Sequence, residues 1–297
     1  MKFWEKFLKT LYKFAASRTL KKIQAKSIES VLKNSISMLD PSMVNEMRAF
    51  IIDKQTLEGG FADRAGKCDI YYSLFGYLVA EALNIKVVNE PLKKYVKIAV
   101  SKNNLIGVDL FCGAILYVRL YGIDTTSQKL KNQVSDVIRT KTKGHQEYIS
   151  FLGILALYYL EDFVGMWRLI RQYKPISFER EIPCPVLAAI AILMETSGKQ
   201  YPPLKEKLLS FYRNGRGFVA LQNTPTEDLL STAVALYALN FLDADIRLIK
   251  PSCMVFIDDL YFKGGFLATT YDIKPDVEYT FYGLLGLGSL QSPKFLC

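Results

Sequence analysis

Three stretches of the chain carry one pattern: a glycine-rich turn ending in phenylalanine, a short polar loop, and an acidic residue that opens a long apolar helix. The first reads Glu58-Gly59-Gly60-Phe61-Ala62-Asp63-Arg64-Ala65-Gly66-Lys67-Cys68-Asp69-Ile70-Tyr71-Tyr72-Ser73, with the helix predicted from Asp69 to about Leu83. A second reads Lys263-Gly264-Gly265-Phe266, then Pro275-Asp276-Val277-Glu278-Tyr279-Thr280-Phe281-Tyr282-Gly283. A looser third joins Gly215-Arg216-Gly217-Phe218 to Thr226-Glu227-Asp228-Leu229-Leu230-Ser231-Thr232. A unit recurring in this way cannot bury its apolar face alone, so neighbouring units must stack into an array. That requirement overrides the two-domain expectation that 297 residues would otherwise raise.

Between these stretches the pattern alternates. A more polar helix, often opened by proline, is followed by a loop and an apolar helix rich in Gly, Ala, Leu and aromatics. The predicted pairs are 41–54 with 69–83, 90–102 with 108–121, 127–141 with 147–160, 162–173 with 184–197, 202–213 with 227–242, and 251–261 with 276–290. The second members are apolar nearly all round, as in Val186-Leu187-Ala188-Ala189-Ile190-Ala191-Ile192-Leu193-Met194, so they must be buried on most faces. The first members are one-sided, with Lys93, Lys94 and Lys97 predicted to face water. The expected fold is all-α, with about six hairpins in two concentric layers. No strand-like alternation competes over any useful length. Residues 1–40 are read as a helical extension, including a helix from Ser17 to Leu39, and 41–297 as the main domain.

Composition narrows the classes of function. The 18 Tyr and 18 Phe are enough to line a cavity as well as fill a core. The net charge is +9, but residues 1–26 hold seven Lys and one Arg against one Glu, leaving the rest near neutral. That is not a nucleic-acid surface. The longest apolar run, Ile149 to Leu160, is far short of the roughly 20 residues of a membrane span. Five cysteines without paired spacing indicate free thiols in a reducing, cytoplasmic compartment. In residues 1–16, Phe3, Trp4, Phe7, Leu8, Leu11 and Phe14 fall opposite Lys2, Lys6, Lys9 and Lys13. This amphipathic helix reads either as a peripheral membrane contact or as a helix packed on the body.

The repeats resemble those of protein prenyltransferase β subunits and the related terpenoid cyclases. The resemblance covers 58–83 and 263–290 best, extends to 211–242, and is architectural elsewhere. It implies an α/α toroid of about six hairpins and a prenyl diphosphate or other lipid in an aromatic central cavity. By position it implies that Arg64, Lys67 and Tyr72 bind the diphosphate, and that Tyr71, Phe111, Phe281 and Tyr282 line the cavity. Two cations beside a helix N-terminus make a sound anion site, and a tyrosine adds a directional donor. The bland alternative is a solvated loop above a core tyrosine. Family members work with a helical partner subunit, which the resemblance carries over as an expectation.

The metal of that family does not carry over. Asp69 matches one zinc ligand, but Tyr71 and Tyr279 stand where a cysteine and a histidine are expected, and phenols replace neither well. A substitute set of Asp69, Cys112 and the lone His145 can be drawn. Zinc is not expected; Mg2+ with Asp63 as ligand is the alternative. Asp69, Asp276 and Tyr279 are the candidate catalytic groups, and Asp69, Asp109, Asp228 and Asp276 are expected around one mouth, where N-capping competes with acid catalysis. The acidic run of the cyclases has only a partial counterpart in Asp243-Ala244-Asp245-Ile246. Three functions follow: a zinc-independent prenyltransferase-like protein, a non-catalytic toroid binding a partner or lipid, and an unusual terpene cyclase.

Overall fold

The computed structural model describes residues 22–140, 146–172, 182–197, 203–213 and 215–291. The amphipathic pattern of residues 1–16, His145 and Cys297 lie outside them. The described chain is all-α, with two small antiparallel hairpins, Phe61–Ala62 (β1) with Cys68–Asp69 (β2) and Tyr261–Phe262 (β3) with Gly265–Phe266 (β4). These hairpins are the glycine-phenylalanine turns.

The apolar helices are α3 (Ile70–Ala82), α5 (Gly107–Tyr121), α7 (Gln146–Tyr159), α9 (Cys184–Ser197), α11 (Leu229–Phe241) and α13 (Val277–Ser289). Their polar partners are α2 (Pro41–Asp53), α4 (Asn89–Ser101), α6 (Thr125–Thr140), α8 (Phe163–Gln172), α10 (Leu204–Leu209) and α12 (Lys250–Asp259). Each apolar helix contacts the next, α3 to α5 and onward to α13, and α13 returns to contact α3. Helices such as α11 are therefore buried on nearly every face, from Leu229 through Phe241.

The sequence places these pairs within a few residues, with two informative differences. The helix expected from Ser17 to Leu39 is interrupted at Lys26-Ser27, and a new helix α1 (Ile28–Ile36) begins there. Ser27 caps it, its Oγ accepting from the Ser30 N–H at 3.3 Å. The helix expected over 202–213 is only Leu204–Leu209. Its last residues are drawn into the next turn instead: Arg213 N–H donates to the Gly217 carbonyl at 2.9 Å, and Tyr212 bridges Phe218.

Segment 22–37 lies across the far ends of the apolar helices. Lys22 pairs with Glu195 and Asp243, and Lys26 with Asp243 and the Asn240 carbonyl. Glu29 accepts from Tyr159 Oη at 2.6 Å and lies 3.8 Å from Arg119, which grips Glu81 with bonds of 2.5 and 2.6 Å. Gln291 donates to the Asn34 carbonyl at 3.0 Å. α1 also packs on α13 and α3, so this segment reaches all six apolar helices.

Candidate functional site

One local device is built three times. The acidic residue before the helix accepts from a backbone amide three residues on: Asp69 from Tyr72 N–H at 2.9 Å, Asp228 from Ser231 N–H at 2.7 Å, Asp276 from Tyr279 N–H at 2.7 Å. A hydroxyl one residue further accepts from the turn phenylalanine's N–H: Ser73 from Phe61 at 2.9 Å, Thr232 from Phe218 at 2.9 Å, Thr280 from Phe266 at 3.2 Å. All three rings are essentially inaccessible to solvent. In the first and last copies the ring lies on a helical glycine, Gly76 or Gly283. The device ties each turn to its own helix and leaves the loop between them projecting at the helix start.

Because α13 returns to α3, the loops of the first and last copies meet. Arg64 Nε donates to Asp276 Oδ2 at 2.6 Å, its Nη1 lies 3.8 Å from Asp272, and its guanidinium sits 4.9 Å from the centre of the Tyr279 ring. Tyr71 Oη donates to Glu278 Oε1 at 2.7 Å, and the Tyr72 hydroxyl also reaches Glu278. Burial pushes the Glu278 carboxyl upward, against the two tyrosine hydrogen bonds, with Asp276 adding to the rise. Burial, helped by the Glu278 charge, raises Tyr279 to about 12 and takes Tyr72 higher still, so both phenols keep their protons at neutral pH. Burial and then Asp69 raise Asp109.

Behind this cluster is an apolar cavity of about 270 Å3. It starts at the first turns, with Tyr71, Pro185 and Leu230, and ends at Leu78, Ile192 and Tyr237. From Tyr71 to Leu78 the helix rises about 10 Å. Phe75, Phe281 and Tyr282 form its aromatic wall, the Phe75 and Phe281 rings 4.8 Å apart. Ile28 of α1 lines the far end.

Of the predicted lining residues, Tyr71, Phe281 and Tyr282 do line the cavity. Phe111 does not: its neighbour Cys112 faces the cavity, and Phe111, about 100° further round the helix, is fully buried beside Gly153 of α7. Among the proposed diphosphate ligands, Arg64 and Tyr72 come together around Asp276 and Glu278. Lys67 does not join them and is exposed on the turn. Asp63 organises that turn, its Oδ1 accepting from the Ala65 and Lys67 amides, both at 2.8 Å. Asp69, Asp228 and Asp276 cap their helices as described. Asp109 sits inside the first turn of α5 and makes no cap.

Asp243 and Asp245 lie at the opposite end, engaged by Lys22 and Lys26 and by Arg247. Among the described residues no three His, Cys, Asp or Glu side chains gather as a metal site. Glu278 was missed as a site residue, although it is the single charged side chain within α13. Ile28 carried no signal in the sequence.

Compared with known proteins, the chain matches no family model, no curated protein and no solved structure.

Proposed function

We propose that the protein is an α/α toroid of six hairpins that binds a linear isoprenoid chain in its central cavity, with the head group at the Tyr71–Tyr72–Glu278 cluster beside the Arg64–Asp276 ion pair. The cycle of contacts among the apolar helices supports the toroid. The observation that carries the function is the apolar cavity, with Tyr71 of the polar cluster at one end and Ile28 of the crossing segment at the other. At about 270 Å3 it lies just below the usual range for ligand pockets, which begins at roughly 300 Å3, and suits one slender apolar chain.

The cluster favours an uncharged head group, such as an alcohol, over a diphosphate. Arg64 is already matched by Asp276 and Asp272, and Glu278 adds a further carboxyl beside it. The positive ends of three apolar helices are also met by their own aspartate caps. The prenyl diphosphate reading draws its support from Arg64, whose side chain keeps 50% of its exposure and can turn toward an anion. It requires that ion pair to open. The amphipathic pattern of residues 1–16 supports a membrane-surface source for such a ligand.

The test is calorimetric titration of the whole chain with farnesol and with farnesyl diphosphate. Farnesol is expected to bind, and Ala189→Trp, which fills the cavity, to abolish binding in a protein that still folds. Arg64→Ala combined with Lys67→Ala is expected to leave farnesol affinity within about twofold, since neither residue lines the chain cavity. Preferential binding of the diphosphate, lost in that double variant, would restore the anion reading. Binding of neither ligand would remove the isoprenoid assignment.

A further inference from the structure

A second, smaller cavity of about 70 Å3 lies beyond the far end of the first. The two share five lining residues: Ile28, Phe151, Leu155, Ile192 and Tyr237. Four of these stand on the apolar helices α7, α9 and α11, and Ile28 alone comes from the segment laid across their ends. The partition between the chambers is thus completed from outside the ring.

Ile28 is held from both sides. On one side, Tyr237 Oη donates to the Lys26 carbonyl at 2.8 Å, and Lys26 Nζ reaches the Asn240 carbonyl at 2.5 Å. On the other, Glu29 accepts from Tyr159 and faces Arg119. These contacts hold the Lys26 backbone directly and Glu29 through its carboxylate, so the stretch that carries Ile28 is anchored on both sides. Beyond it the small chamber continues with apolar walls from Ile154, Met166 and Leu193.

We infer that Ile28 is the end-stop of the ligand chamber and sets the longest chain the protein accepts. This rests on the reading of the large cavity as an isoprenoid site, and it adds the residue that determines length. Shortening Ile28 joins the two chambers in line with the ligand axis, whereas enlarging it shortens the first chamber.

The experiment measures affinities for geraniol, farnesol and geranylgeraniol in wild type, Ile28→Val, Ile28→Ala and Ile28→Phe, with thermal melts confirming that each variant folds. Wild type is expected to discriminate against geranylgeraniol. Ile28→Ala is expected to move the farnesol-to-geranylgeraniol ratio toward the longer alcohol by about tenfold or more, the usual effect of one or a few methylenes in an apolar pocket. Ile28→Phe is expected to move the preference toward geraniol, and Ile28→Val to fall between wild type and alanine. Unchanged ratios across the folded variants, with farnesol still bound by wild type, would overturn the end-stop and leave the isoprenoid site standing. Wild type that binds none of the three alcohols would overturn both.

Discussion

At the scale of single residues the most informative positions are those where a missing or buried atom has a defined partner. A Cβ on Gly76 would meet three Phe61 ring carbons at 2.4–2.6 Å, and both residues are enclosed. Gly76→Ala is therefore expected to destabilise the fold by about 1–3 kcal/mol despite alanine's better helix propensity, as read by urea unfolding. Glu278 gives a prediction with a sign. Its folded carboxyl is raised above the ordinary value of 4.5. Below that value both folded and unfolded chains carry the proton and burial costs nothing. As pH rises, the unfolded chain ionises first, so stability falls until the folded carboxyl has also titrated. Glu278→Gln keeps an acceptor for Tyr71 and removes this dependence. The melting temperature of the variant relative to wild type should therefore rise as the pH is taken from below 4.5 up through the raised value of the folded carboxyl. A difference that shrinks over that range would mean the carboxylate form is the one the site stabilises.

Among the elements, the turn-and-helix unit is what the chain repeats, and its parts are separable. Ser73→Ala leaves the buried Phe61 N–H without its acceptor and should cost about 1–3 kcal/mol. Asp228→Ala should cost about 1 kcal/mol through loss of the α11 cap, and Asp228→Asn should recover most of it. Both are read from denaturant midpoints. This unit was legible in the sequence because its bonds span a single turn and the start of the following helix, so spacing alone exposes them. The helix pairs were legible for the same reason, through apolar periodicity and proline or aspartate starts. The short α10 was not, because Ser210 to Arg213 read as helix locally and are claimed by the turn that Gly217 and Phe218 form.

At the scale of the whole molecule, segment 22–37 crosses the ends of the apolar helices and ties them to one another. It lies tight against α13 at Gly288, where an added Cβ would collide with the Val31 carbonyl oxygen. Gly288→Ala should push α1 away from α13. Amide exchange across 28–36 is then expected to accelerate while that of α3 and α11 stays near wild type. Protection unchanged at α1 would show that the segment is held by Lys22, Lys26 and Glu29 without this contact.

The amino-acid sequence by itself determined most of the helix pairs and the caps at Asp69, Asp228 and Asp276, since each depends on residues within a turn or two of one another. It also marked Arg64 and Tyr71 as special. What they touch was decided only by the tertiary structure: Arg64 meets Asp276 at a separation of 212 residues and Tyr71 meets Glu278 at 207. Ile28 lines the cavity from a segment with no repeat signature. Such partners follow from where the last helix docks against the first and where the N-terminal segment crosses them. Those placements minimise exposed apolar surface over the whole array, and no local spacing records them.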